Sequence, residues 1–314
     1  MAARLVRTIL GGAVAFAVVA SVRRYRRDLG AARARLAEVQ RRVISTRFGA
    51  LEYAETGRGD PPVLVSHGIF HGCDGGLLSV RDVIDYRRVV APSRFGYLGS
   101  DLPVDADGAD QSDAFIELLD DLEIGRVDVF GISAGTGAAV QAALRHPDRV
   151  AHLVISSGNW PGSTTSVAPP SWAKLFYNDA AMWAIRSCGG PALGALMGVP
   201  KGFPRNAADR AVISEMADSI FPLAPRTPGA VFDAFVSNPE INSYPLESLT
   251  VPTMIIHATD DPLATYSAAE QAAVRIPEST FVSLETGGHL GLGQSDRVRS
   301  EVAAFLNDEP SRPH

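Results

Sequence analysis

The stretch Val127-Asp128-Val129-Phe130-Gly131-Ile132-Ser133-Ala134-Gly135-Thr136-Gly137 decides the fold. It is an apolar strand running into G-x-S-x-G, then into the Ala-rich run Ala138 to Leu144, which Arg145-His146-Pro147 ends. A serine held between a strand and a helix takes a strained backbone conformation. The residues two positions either side must therefore be nearly free of side chain if strand and helix are to pass closely. Gly131 and Gly135 meet that requirement. In a chain with 29 glycines the pentapeptide alone is weak evidence. Its context, β-rich before and helix-forming after, makes it a nucleophile elbow with Ser133 at the tip.

Two later segments stand in the order that such an elbow needs, serine then acid then histidine. Val251 to Pro262 is an apolar strand delivering a carboxylate, Asp260 or Asp261, just past its end, and Gly287-Gly288-His289-Leu290-Gly291 puts a histidine in a glycine-flanked loop after the strand Thr280 to Leu284. Upstream, Pro62 to Phe70 is a strand ending in His67-Gly68, where backbone amides can turn toward an oxyanion.

On these motifs the chain resembles the α/β-hydrolase superfamily over roughly Val43 to Leu306, and Val90 to Ser100 is similar to the turn after the fourth strand in a bacterial subset of it. The resemblance implies a mostly parallel central sheet with helices on both faces, plus a helical lid. In the family the acid loop usually begins with glycine. Ala258 takes that place here, and counting three residues on implies Asp261 as the acid, with Asp260 the substitute. His289 would then take the proton of Ser133, and Asp261 would hold the imidazole tautomer. The resemblance also assigns the oxyanion donors to the backbone amides of Ile69 and Ala134, with Phe70 in place of Ile69 if the turn is one residue longer. Relatives with dehalogenase or epoxide hydrolase chemistry carry aspartate where this chain has Ser133. The expected reaction is cleavage of a carboxylic ester. Thioesters, amides and carbon-carbon bonds share the same triad, and an idle scaffold that binds a ligand is a further alternative.

Length and patterning agree with one large α/β domain. Phe115, Leu118, Leu119 and Leu122 recur at helical spacing after the fourth strand, with Glu117, Asp120 and Asp121 outward. The core is expected over 43–158 and 246–308, interrupted by an insertion at 159–245, too long for an ordinary connection and read as a lid. Its aromatic residues Trp160, Trp172, Phe176 and Trp183, with Phe70 from the oxyanion loop, are the candidates for lining a pocket for an apolar or lipid-like ester. The lid's own small core is the competing use for each side chain.

At the N-terminus the uncharged run Thr8 to Val22 lies between Arg4 and Arg7 and the cluster Arg23-Arg24-Tyr25-Arg26-Arg27. Apolar all round, it reads as a single membrane anchor over residues 1–27 rather than a cleaved signal, because four arginines after it oppose export. The arginine excess on that side places the catalytic domain toward the cytoplasm, the exported side being the alternative. Leu29, Ala32, Leu36, Val39 and Val43 give a basic amphipathic helix over 28–42 that could lie on anionic lipid, pack on the domain or pair with another chain. Eleven arginines against Asp28 and Glu38 make residues 1–47 +9, leaving −15 for the remainder of a chain whose net charge is −6. Such an acidic domain is a poor nucleic-acid binder.

No metal and no cofactor is expected, since no zinc spacing occurs, and Cys73 and Cys188 form no disulfide or redox pattern. Packing or capping is the expected role of His146, His152 and His257, while His67 and His71 belong beside the oxyanion loop rather than in the proton relay.

Overall fold

The computed structural model describes residues 2–307 except Asp85, and the backbone alone of residues 2–14 and Cys188. A 37-residue helix α1 (Ala2–Glu38) comes first. The hairpin β1 (Arg42–Thr46) and β2 (Gly49–Thr56) follows, with Thr46 opposite Gly49. Strand and helix then alternate through β3 (Val63–Ser66), α2 (Cys73–Val80), β4 (Val89–Pro92), α3 (Gly108–Asp121), β5 (Val127–Ile132), α4 (Thr136–Arg145) and β6 (Val150–Ser156). The insertion carries the short helices α5 (Asp179–Cys188), α6 (Gly190–Leu196), α7 (Ala207–Ser219), α8 (Thr227–Phe232) and α9 (Asn238–Glu240). The chain closes on β7 (Thr253–Ala258), α10 (Tyr266–Arg275), β8 (Thr280–Leu284) and α11 (Ser295–Leu306).

The eight strands form one sheet in the order β1-β2-β4-β3-β5-β6-β7-β8. β2 pairs antiparallel with β1 and β4, and every other pairing is parallel. Successive side chains of a strand face opposite ways, so a parallel sheet with covered faces needs unbroken apolar strands. Leu64, Val129, Leu153 and Ile255 join one core with α3, α4 and α10. Their neighbours Val63, Val65, Phe130, Val154, Met254 and Ile256 join a second core with α2 and α11. On α3 the stripe Phe115, Leu118 and Leu119 is buried, Leu122 packs against it, and Asp120 and Asp121 are exposed.

A third core joins the insertion to α1: Ala32 is buried with Met182, Met197, Ile213, Ala217 and Phe221, flanked by Tyr25, Leu29 and Trp183. The Trp183 indole N–H donates to the Asp28 carboxylate at 3.1 Å, and its ring meets Tyr25 edge-on at 5.5 Å. One continuous helix, Ala2–Glu38, runs through the segments read as an anchor over 1–27 and a linker helix over 28–42, and Leu29 and Ala32 of its apolar stripe pack on the lid. Among the described residues no helix is long and apolar enough to cross a membrane. Much of the apolar run lies in residues 1–14, whose side chains fall outside the described set; further along, Phe16, Val18, Val19 and Val22 are exposed.

Candidate active site

β5 ends at Ile132 and the chain turns at Ser133 with φ +51, a left-handed conformation that side chains adopt at a cost. The turn is held by contact. A Cβ on Gly135 would stand 2.1 Å from the Ser66 carbonyl oxygen, and one on Gly131 2.6 Å from Ile155 Cδ1. The Ser133 carbonyl accepts from the Thr136 hydroxyl at 2.6 Å.

The hydroxyl of Ser133 meets His289 Nε2 at 2.8 Å, and His289 Nδ1 meets Asp261 Oδ2 at 2.8 Å. The consistent tautomer has Nδ1–H donating to the carboxylate and Nε2 accepting from the serine. Asp261 Oδ1 accepts the amides of Leu263 (2.8 Å) and Ala264 (3.1 Å), and the buried His257 lies 3.4 Å from Oδ2 while donating to the Ala264 carbonyl at 3.0 Å. Burial alone would raise the pKa of Asp261; His289, His257 and the backbone amides outweigh it and hold the carboxyl well below its ordinary range. Asp260 faces elsewhere. It accepts from the Gly288 amide at 2.8 Å and the Thr286 hydroxyl at 2.6 Å, so it fixes the loop that carries His289.

Across the cavity, His67 is fully buried, with Nε2 accepting the Arg94 amide at 3.0 Å and Nδ1 donating to the Gly68 carbonyl at 2.8 Å. Burial, then the nearby Arg94 charge, pushes its pKa far down and keeps the ring neutral. The Arg94 guanidinium forms a fork on Asp233, which also receives the Tyr97 hydroxyl, all three side chains being buried. The Phe70 amide points at that hydroxyl (3.4 Å), whereas the amides of Ile69 and Ala134, both lining the cavity, donate to no other group among the described residues. Of the three backbone donors expected here, Ile69 and Ala134 are the two left for a ligand.

The cavity above Ser133 holds about 600 Å³ and is lined chiefly by apolar side chains, among them Phe70, Leu196, Met197, Val212, Met216 and Ile220. Four of the expected lining aromatics are elsewhere. Trp160 lies only four residues past β6 and is consumed by the main core, and Trp183 faces α1. Trp172 and Phe176 pack edge-on against each other on the outside of the lid, with Trp172 62% exposed. Aliphatic and thioether side chains from α6 and α7 form the roof instead. The lid touches the triad directly, the His289 amide donating to the Gly198 carbonyl at 2.9 Å.

Two further histidines have carboxylate partners. His146 and His152 meet Asp113 and Asp128 at 2.7 Å each, and burial pushes the Cys73 thiol up to about 12. Asp233, Asp260 and His257 were not singled out by sequence for these contacts. Only His257 carried a signal, its place four residues before Asp261 at the end of an apolar strand.

Against known proteins, the chain is 33% identical over 121 residues to the uncharacterized hydrolase YcgS of Bacillus subtilis (strain 168), covering 38% of this chain and 42% of that one. It is 34% identical over 129 residues to a 2-hydroxymuconate semialdehyde hydrolase of Pseudomonas sp. (strain CF600), covering 38% and 43%. These matches thus span less than half the length of either relative. An alpha/beta hydrolase fold protein from Nakamurella multipartita superposes with a TM-score of 0.72 at 24% identity, covering 85% of this chain and 99% of that one. The family model for the alpha/beta hydrolase fold matches residues 61–296, and the protein belongs to that family.

Proposed function

We propose that the protein is a serine hydrolase that cleaves a carboxylic ester of an apolar or lipid-like compound through an acyl-enzyme on Ser133. The observation that carries this reading is the unbroken hydrogen-bonded line Ser133–His289–Asp261 at the floor of an apolar cavity of about 600 Å³. His289 Nε2 takes the hydroxyl proton as Ser133 Oγ attacks the carbonyl carbon. The Ile69 and Ala134 amides receive the charge that develops on the carbonyl oxygen, and His289 returns the proton to the departing alkoxide. Water, activated by the same imidazole, then releases the acid. Asp261 stays ionised throughout and stabilises the imidazolium.

The test is labelling by a fluorophosphonate probe alongside hydrolysis of short and long p-nitrophenyl esters. Ser133→Ala is expected to lose labelling and to lower kcat by about 10⁴-fold or more. A folded wild type that takes no label would overturn the reading. Carbon-carbon bond hydrolysis is a second reading, supported by the partial likeness to a 2-hydroxymuconate semialdehyde hydrolase. It predicts turnover of a vinylogous diketone and slow turnover of simple esters.

For localisation we propose membrane attachment through the first half of α1, with the catalytic domain on the cytoplasmic side. The support is the exposed Phe16, Val18, Val19 and Val22 followed by Arg23, Arg24, Arg26 and Arg27, a pattern that suits acyl chains beside anionic headgroups. Deleting residues 1–22 is expected to move the protein from the membrane to the soluble fraction with activity kept. Continued membrane association would refute it.

A further inference from the structure

Ile69 lies between two peptide units, and both are held. In a planar trans peptide the carbonyl and the N–H that follows it point opposite ways, so fixing one fixes the other. The Gly68 carbonyl shares its peptide unit with the Ile69 N–H and accepts His67 Nδ1–H at 2.8 Å. The Arg94 amide donates to Nε2 of that ring at 3.0 Å, which leaves the ring proton on Nδ1, and burial keeps the ring neutral. Arg94 Nε also donates to the His67 carbonyl at 3.0 Å. The peptide unit after Ile69 is met through its own N–H, the Phe70 amide approaching the Tyr97 hydroxyl at 3.4 Å. Phe70 has φ +66, a left-handed turn that costs free energy and persists because its surroundings hold it.

Both lines end on one carboxylate. Asp233 takes the two ends of the Arg94 guanidinium on its two oxygens and the Tyr97 hydroxyl on Oδ2. Each of these groups donates, so the side chain serves as an ionised acceptor. It is fully buried and comes from the lid, directly after α8 and 139 residues beyond Arg94. Resting on the Ser133 acyl-enzyme reading, we infer that Asp233 is a positioning residue for the reaction: carried by the lid, it holds Arg94 and Tyr97, and through His67 and Phe70 they keep the Ile69 N–H turned toward the oxyanion. Its effect falls on the transition state, where that oxygen carries charge, and little on the bound neutral ester. A residue that only seated the lid would act on folding or on the grip on the ester instead.

The experiment measures kcat and KM for a p-nitrophenyl ester, normalised to the sites that a fluorophosphonate labels at completion, and Ki for an alkyl trifluoromethyl ketone, whose hemiketal on Ser133 puts an oxyanion in the same place. It is run on the full chain for the wild type, Asp233→Asn and Tyr97→Phe. Asparagine keeps the size of the side chain but turns an amide N–H toward one of the three donors, and phenylalanine cuts only the line through Phe70. Asp233→Asn is expected to lower kcat by about 10- to 100-fold, less than outright loss of an oxyanion donor, with KM changed by less than about threefold and Ki raised in step with the fall in kcat/KM. Tyr97→Phe is expected to do the same at about 3- to 10-fold. A folded Asp233→Asn with kcat within about twofold of the wild type overturns the inference, as does a loss confined to KM with Ki unchanged. Where Asp233→Asn fails to fold, Tyr97→Phe decides, and unchanged kcat and Ki overturn the inference. A wild type that takes neither the label nor the ketone overturns the acyl-enzyme reading instead, so the two failures are told apart.

Discussion

The floor of the cavity is backbone: Ser133 stands where β5 meets α4, Gly131 pairs in register with Ser66 on one side and Ile155 on the other, and no Cβ fits at Gly135. The roof is side chain: α6 and α7 lay Leu196, Met197, Val212 and Met216 over it, packed on α1 behind. A floor built from sheet hydrogen bonds moves only if the sheet does. The roof is tied unequally. A buried fork joins Arg94 to Asp233, and a part-buried one joins Arg226 to Asp74. The pair between Arg81 and Glu215 is exposed, its side chains 54% and 47% so. Positioning is therefore concentrated at the floor and the buried forks, and freedom at the exposed pair.

The sharpest way to break this contrast is at the floor. Asp261→Asn reverses the hydrogen bond that sets the His289 tautomer, and kcat is expected to fall by about 10⁴-fold. Asp260→Asn, which touches only the loop backbone and Thr286, is expected to cost less than about tenfold; steady-state kinetics on both variants checks the pair. The reverse pattern would move the acid by one residue. At the roof, Asp233→Ala leaves the buried Arg94 without its partner and is expected to lower the unfolding free energy by about 3 to 5 kcal/mol. Glu215→Ala breaks an exposed pair worth about 0 to 1 kcal/mol. Urea denaturation of both variants measures the difference, and equal losses would mean that the exposed pair holds the lid as firmly as the buried fork.

The floor was legible because its determinants are local in sequence. G-x-S-x-G with strand formers before it and helix formers after it leaves few backbone solutions, and β8 begins and ends at Thr280 and Leu284, the residues read from its apolar run. The choice of Asp261 over its neighbour came by counting along the family's loop. The structure shows the geometry behind the count: Asp261 reaches the imidazole and Asp260 turns back to its loop. The roof was legible only as apolar. Trp160 and Trp183 carry equal reason to be buried, and nothing in their spacing says that one joins the main core and the other meets α1. Nor does it say that Trp172 stays outside. The stripe Leu29, Ala32, Leu36 predicts a helix with one apolar face, and lipid, domain and second chain all satisfy it equally.

Sequence alone therefore determined the α/β architecture, the elbow at Ser133, the order of the triad and the apolar character of the lid, because periodicity and glycine placement act between residues near in the chain. Only the tertiary structure decided which aromatic side chains reach the cavity, that α1 packs on the lid, and that Asp233 neutralises Arg94 across 139 residues. Burial is a demand for removal from water without direction. Its partners are chosen by how the whole chain packs.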